Sequence, residues 1–593
     1  MSHHPPKPRL ALTLGVTGHR LTRAPTAGED GGAAPRPFDV AAVAKALEAT
    51  FAAAAAGLAA IGAEAKANFS DVPPIVTLIS SLAEGADRIA AHAALDAGFA
   101  LDVILPCPAP IYAETFVDDA SREAFASLST RARATLVLPL AGESAAPLDE
   151  RLPATFEAAG LTMLAQSDIL VAVWDGKPAE GRGGTGQIVE EAARRGAPVV
   201  IVDPKDGATR LLWADQPADA ATAPRALDIA PRPLTPALAA LIARIVGPPS
   251  AAEERAGLKQ YFACRVGADA SRRASHVFDG RDLEGPRAQW PRVSAAVGES
   301  ATNRIAAMRY SQALLAAEDV AQRHAAAYRR LFLASSAATV VASGFVAGAA
   351  RFRDLHWIAA TFEFLTVALV GGLVLFATRR RWHRQWFEAR ELAERLRVVA
   401  PAWLLGAWPA QLTPAQAAWP GWCARAVARE LPLFAGEIGA LTGEIRDILA
   451  ALVDEQLAYH LANAERLERR DRVYEGIGVG LLVTSLVNNA VYLAMRLIGA
   501  AGLENYESWG LAAAIFLPAA ATAAYGVRLF GDFEDLARRS RRTAVELLVL
   551  QGRMTGALDL RALRSIAEAA TRAMLSDLDA WRVAVESRRL SAG

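Results

Sequence analysis

The 593-residue sequence predicts two architectures in one chain: an amino-terminal α/β domain with a parallel sheet, then an all-α membrane domain with four transmembrane helices and long cytoplasmic helices. Three observations carry this. Residues 8–247 alternate short apolar runs with helical patterns. Three polar or glycine-rich segments follow directly on apolar runs, and four long apolar stretches come after residue 330.

The candidate strands are 10–16, 75–80, 101–105, 135–138, 169–174 and 199–202. Alanine-rich helical stretches, such as 40–60 and 87–97, lie between them. Strands alternating with helices predict a parallel sheet covered on both faces. In such a sheet the binding crevice lies at the carboxyl ends of the strands. The domain is bounded at 1–247, and 248–301 reads as a linker with some helix.

Three loops carry chemistry. GVTGHR follows the first strand, where Gly15, Thr17, Gly18, His19 and Arg20 suit a tight turn and close backbone approach to an anion. A purely structural glycine turn is the plain alternative. In SSLAEGADR, Ser80, Ser81, Glu84, Gly85 and Asp87 either hold a ribose or base edge, or serve the next helix, with Ser81 as its cap and Asp87 in its first turn. Gly183, Gly184, Thr185 and Gly186 precede QIVEEAARRG and are expected to open a helix whose first turn offers free N–H groups to a phosphate. Asp175 points toward the same crevice, or simply forms an Asp-Gly turn.

Together these loops resemble the SLOG superfamily, which includes cytokinin-activating LOG enzymes and the Rossmann-like domain of DNA-processing protein A. The resemblance covers about residues 10–205 and is most specific in SDILVAVWDGKPAEGRGGTGQIVEEA. It implies a Rossmann-like fold that binds a nucleotide or nucleotide-derived signal at the glycine loops. LOG hydrolases carry PGGxGTxxE, whose Glu serves cleavage of an N-glycosidic bond. Gly183, Gly184 and Gly186 match that pattern, and Glu190 falls on the carboxylate. Arg182 replaces the Pro and Gln187 replaces the Thr, departures that weigh against hydrolase activity and leave phosphate binding in place.

The membrane half has uncharged stretches at 331–350, 476–495 and 509–527, and a fourth at 357–378 interrupted only by Glu363. At about 1.5 Å rise per residue each can cross a hydrocarbon core of about 30 Å. Basic residues cluster outside each pair of spans, at Arg329, Arg330, Arg379, Arg380, Arg381 and Arg384, then at Arg466, Arg469, Arg470, Arg472, Arg538, Arg539, Arg541 and Arg542. The positive-inside rule puts both termini and the central segment in the cytoplasm. A helix–span–span–helix pattern over 302–400 recurs over 421–593, offset by about 145 residues, with a Pro- and Trp-bearing break at 401–420. This unit resembles the SLATT family of two-span modules in predicted bacterial conflict systems, which implies assembly into a membrane-disrupting pore. Glu363, Ser485, Asn488 and Asn489 are the polar candidates within the spans, either gluing helices together or lining a water-filled path.

Composition narrows the partners. Lys+Arg and Asp+Glu both number 63, so net charge predicts no nucleic-acid partner. Cys107, Cys264 and Cys423 are scattered and form neither a metal site nor a disulfide framework. No secretory signal is visible in MSHHPPKPRLALTLGV, so the first domain is expected in the cytoplasm of a bacterial cell, anchored at the inner membrane. The expected partners are a nucleotide-type small molecule, the lipid bilayer and further copies of the chain; no resident cofactor or metal is expected. The sequence therefore reads as a membrane-anchored sensor–effector, or as a membrane-tethered nucleotide N-glycosidase with Glu190 as its acid or base.

Overall fold

The structure is a computed structural model that describes residues 4–19, 38–141, 146–179, 181–214, 225–267, 300–349, 356–407, 418–499, 503–556 and 558–590. The chain forms two compact units. The first comprises Met1–Ala317, Glu391–Leu452 and Met554–Arg572, and the second Glu318–Arg390, Val453–Arg553 and Ala573–Gly593.

The first unit is built on β1 (Ala11–Gly18), β2 (Ile75–Ser80), β3 (Ala100–Leu105), β4 (Ala134–Val137), β5 (Ile169–Val173), β6 (Val199–Val202), β7 (Thr209–Leu212), β8 (Arg232–Pro233) and β9 (Gly436–Glu437). They form one sheet in the order β8-β7-β6-β5-β1-β2-β3-β4-β9. All neighbours from β6 to β9 pair in parallel, whereas β7 and β8 pair antiparallel at one edge. The six expected strands are all present, within two residues at either end. Their runs are apolar at consecutive positions because both faces are covered. Leu12, Leu78, Val103, Leu170 and Val200 are each at most 1 % exposed.

Helix α1 (Val40–Glu64) packs on α2 (Ala86–Asp96), while α5 (Leu148–Ala165) packs on α6 (Thr185–Arg194). Between them in sequence lie α3 (Ala109–Ala113) and α4 (Asp119–Thr130). Since β1 is central, with β2 on one side and β5 on the other, the order of strands reverses there. The chain leaves β1 for α1 and leaves β5 for α6, and these helices belong to different layers. A crevice opens between such strands at their carboxyl ends.

The unit does not end at residue 247. Helix α7 (Leu234–Val246) closes the expected 1–247 domain, and α8 (Ala252–Ala263), the helix expected within 248–301, belongs to the same unit; residues 268–299 lie outside the described set. More chain returns from beyond the first pair of apolar helices. These are α9 (Ala301–Ala349) and α10 (His356–Arg380), followed by α11 (Trp382–Arg397), α12 (Val399–Leu404) and α13 (Trp419–Arg429). The segment read as a break at 401–420 therefore holds a buried helix and the start of another, its described residues forming core of the first unit. Its aromatic residues explain why. Trp403 donates its indole N–H to the Pro432 carbonyl at 2.7 Å, Trp422 donates to the Val246 carbonyl at 2.9 Å, and Trp419 stacks on Tyr261 at 4.9 Å.

Salt bridges tie this returning chain to the amino ends of the strands. Arg429 meets Asp168 at 2.6 Å, with side chains 7 % and 13 % exposed. Asp168 also accepts the Thr13 N–H at 3.0 Å. Arg133 holds Asp102 with two hydrogen bonds, and Asp102 accepts the Leu433 N–H at 2.9 Å. Thr13, Thr77, Asp102, Arg133, Gln166 and Arg429 line a small polar cavity at this end of the sheet. β9 then extends the sheet beside β4.

The second unit is helical. It takes the later part of α9, then α10, most of α14 (Thr442–Leu497), α15 (Leu503–Gly531), α16 (Phe533–Arg553) and the end of α17 (Leu560–Leu590). Among the described residues, four helical stretches are long and apolar enough to cross a membrane: Val40–Glu64, Ala301–Ala349, Ile438–Leu497 and Tyr506–Arg553. The first of these is α1, whose inner face is buried against the sheet unit. The expected span at 357–378 is helix α10, and its apolar stretch is shorter, Trp357–Leu373. Within this unit α14 runs against α15 and α16. Arg528 grips Asp471 at 2.8 and 3.0 Å, Asn463 donates to Ser540 at 3.0 Å, and Tyr474 stacks on Phe533.

Candidate ligand-binding crevice

The three loops named from sequence lie at the carboxyl ends of three adjacent strands, β2, β1 and β5. Several of their residues do different work from that expected, while Asp87 lies in the first turn of α2 and the glycines after 182 open α6, as the sequence had it. Gly15 is not in a turn: β1 continues to Gly18, and Gly15 pairs with Ile79 on one side and Leu170 on the other. A Cβ there would lie 2.2 Å from the Met163 sulfur and 2.3 Å from Ser167 Oγ, so its smallness lets α5 pack on the sheet. Gly18 similarly admits α2, since a Cβ would meet that of Ala86 at 2.3 Å. Thr17 stays within the strand opposite Ala172. Arg20 lies outside the described residues.

The 80–87 loop is largely committed to its own architecture. Ser80 is fully buried, accepts the Leu82 N–H and donates to Asp87. Asp87, 6 % exposed, also accepts the Ala83 N–H, so this carboxylate closes the loop. Glu84 accepts the Val117 N–H at 3.0 Å and the Ser121 hydroxyl, which fastens it to the start of α4. Ser81 does not cap α2; the N-cap is Gly85, at φ +92°, a backbone shape that disfavours any side chain.

The glycines before α6 are likewise specific. Gly183 has φ +82°, and a Cβ would lie 2.6 Å from the Glu157 nitrogen. Its N–H donates to Gln187 Oε1 at 2.7 Å, while Gln187 and Arg182 both bind the Glu157 carboxylate. The two residues that depart from the LOG pattern are therefore partners of one α5 carboxylate. Gly184 is the N-cap of α6 without a side-chain cap, and Thr185 and Gly186 are buried in its first turn. Residues 177–179 lie over that turn, with Lys177 O and Ala179 N each 2.8 Å from where a Gly186 Cβ would sit. The Thr185 and Gly186 N–H groups, two of the helix's orphan donors, meet no acceptor among the described residues. Glu190 faces elsewhere: it accepts the Ala226 N–H at 2.9 Å and lies 3.9 Å from Arg225.

What remains facing the crevice is a pair that spans the reversal of strand order. His19 follows β1 and Asp175 follows β5, with Nε2 and Oδ1 3.2 Å apart and side chains 16 % and 15 % exposed. The His19 N–H donates to the Val173 carbonyl, and its own carbonyl accepts from Ala86, so all three loops meet at this residue. The Asp175 N–H also points at Nε2, at 3.4 Å. Nε2 thus has a partner on Asp175 whether it carries a proton or not. Lys177, which sequence reasoning missed, places its ammonium 3.9 Å from Asp175 Oδ2 and donates its N–H to Oδ1. Only the Asp-Gly-Lys spacing after a strand hinted at it. Among the described residues no group of three His, Cys, Asp or Glu side chains is placed to hold a metal.

The polar candidates of the apolar helices separate as well. Ser485 is 5 % exposed, packed inside. Asn488 bridges α14 to α15: it donates to the Gly510 carbonyl at 3.0 Å, and Tyr506 donates to its Oδ1 at 3.0 Å. Asn489 and Glu363 are exposed. Comparison of the chain with protein-family models, curated proteins and solved structures finds no match in any of the three.

Proposed function

We propose that this chain is a membrane-anchored sensor–effector whose Rossmann-like, SLOG-like sheet unit binds an anionic, nucleotide-derived signal. The observation that carries the reading is the His19–Asp175 pair at the reversal of strand order, together with two α6 N–H groups that meet no acceptor among the described residues. A helix N-terminus favours negative charge, and a protonated imidazole or the Lys177 ammonium adds to it. Asp175 supplies an acceptor for a ribose hydroxyl or a base N–H. The apolar helices, two of them running out of segments of the sheet unit, are the effector arm, acting on the inner membrane of a bacterium with both termini in the cytoplasm. A signal drives that arm only by binding two states of the protein with different affinity. Bacterial defence is a setting that suits a SLOG–SLATT pairing.

The N-glycosidase alternative has less support, because the Glu190 carboxylate serves a backbone N–H near Ala226 and Arg225. The test uses full-length protein in dye-loaded liposomes with a panel of nucleoside mono- and diphosphates and dinucleotides. Ligand-triggered leakage, lost in His19→Ala and Asp175→Ala, is expected. Binding without leakage would remove the effector role, and release of free base would restore the enzyme reading.

A further inference from the structure

The helix α14 carries two lengthwise seams, and among the described residues only one is filled. Gly478, Leu481, Ser485, Asn488 and Tyr492 recur at alternating steps of three and four residues, the spacing of helices that pack knobs into holes. This seam meets α15: a Cβ on Gly478 would lie 2.8 Å from the Tyr525 ring, Asn488 binds Gly510 and Tyr506, and Tyr492 donates to Glu507 at 3.2 Å. One residue further on, Val479, Leu482, Leu486, Asn489 and Leu493 repeat the same steps. The four apolar members are 46 %, 46 %, 70 % and 58 % exposed, and Asn489 is exposed among them.

The amide decides what covers the second seam. Asn489 Oδ1 accepts from Asn488 at 3.4 Å, but its NH₂ donates to no group among the described residues. Hydrocarbon offers it no acceptor. A second copy of the same helix, related by rotation about the membrane normal, brings the same amide to the same depth, supplying donor and acceptor together. A single polar residue in an otherwise apolar heptad seam also fixes register, since any slip leaves both amides against leucine. We propose that the seam Val479, Leu482, Leu486, Asn489, Leu493 is a self-association interface, joined in parallel through an Asn489–Asn489 hydrogen bond. This rests on the membrane placement of α14 in the reading above, and does not depend on the crevice binding a ligand.

The test is oxidative cross-linking of full-length protein in liposomes, with Cys107, Cys264 and Cys423 replaced by Ala. Val479→Cys, Leu482→Cys, Leu486→Cys, Asn489→Cys and Leu493→Cys should cross-link. Val483→Cys, Val487→Cys and Val491→Cys, on the other exposed side, should not. By fluorescence energy transfer on lipid dilution, Asn489→Leu should weaken association about tenfold, the order found for interhelical amides. Asn489→Gln, which keeps both donor and acceptor, should hold it within about threefold of wild type by the same argument. Cross-links without periodicity, a maximum on the 483–487–491 side, or Asn489→Leu associating as wild type would each overturn the proposal. Ligand affinity at the crevice, measured on Asn489→Leu, should be unchanged; a crevice that binds nothing would sink the sensor reading while leaving this cross-linking pattern intact.

Discussion

Replacing Arg429 by Met tests whether the chain that returns after the first pair of apolar helices is part of the sheet unit. Arg429 donates from Nε to Asp168 at 2.6 Å and from Nη2 to the Ile245 carbonyl at 3.0 Å. The substitution leaves Asp168, whose side chain is 13 % exposed, with the Thr13 N–H and the charge of the neighbouring Arg425. Removing one member of a buried ion pair costs about 3–5 kcal/mol, and the orphaned carbonyl adds to it. A gain offsets part of the loss. Burial, and next the charge of Arg429, push the Arg425 guanidinium down to about 9, so losing Arg429 relieves Arg425. The net expectation is about 3 kcal/mol, or roughly a hundredfold in the opening equilibrium at 1.36 kcal/mol per decade. Unfolding of so large a chain is not two-state, so the measurement is hydrogen exchange at the β1 and β5 amides of full-length protein in detergent. Adding Asp168→Asn should recover at least about 1 kcal/mol, because the carboxylate that lost its hydrogen-bonded guanidinium is gone. An effect under about 1 kcal/mol for the single variant, the range of an exposed pair, would refute the buried-clamp account.

Gly15→Ala should lower the melting temperature of the sheet unit through overpacking worth about 1–3 kcal/mol, without changing ligand affinity in what remains folded. Burial raises the Glu430 carboxyl above its ordinary value of 4.5, outweighing the Arg9 N–H and Arg309. A carboxyl raised on folding stabilises fully below its unfolded value, and that contribution is lost as pH climbs through the raised one. Stability should therefore fall with rising pH just above 4.5, and Glu430→Gln should flatten that slope in denaturation measured across the window. Asn488→Leu should loosen the α14–α15 contact by about 0.6–2 kcal/mol, read as faster amide exchange in α15.

Six strands were legible because each is a short apolar run closed by a turn signal, and a sheet covered on both faces requires such runs. β9 was not, since two residues, Gly436 and Glu437, hold no pattern. The 401–420 segment reads as a break because its Trp and Pro residues are aperiodic; they anchor single contacts rather than a helix face. Arg425 and Arg429 look like surface charges in sequence, and only the fold reveals Asp168 beside them. Gly15 was misplaced for a simpler reason: a glycine kept for its size and one kept for its backbone freedom are the same letter. Glu190 aligns with a catalytic carboxylate, yet the backbone it binds lies 36 residues further along the chain.

The interrupted path of the first unit also dictates an order of manufacture. At about 5–20 residues per second, the roughly 220 residues between β7 and β9 take about 10–45 s to emerge. Through that interval β4 is an open edge, Asp102 lacks the Leu433 N–H, and Asp168 lacks Arg429. Arg564, which donates to the Leu405 carbonyl, arrives only after the second pair of apolar helices has been made. A nascent chain that stalls at the first pair keeps an exposed strand edge, and its Asp168 stays without Arg429. Completion of the sheet thus reports that the first pair of apolar helices has been passed, and the open β4 edge marks chains that have not reached that point.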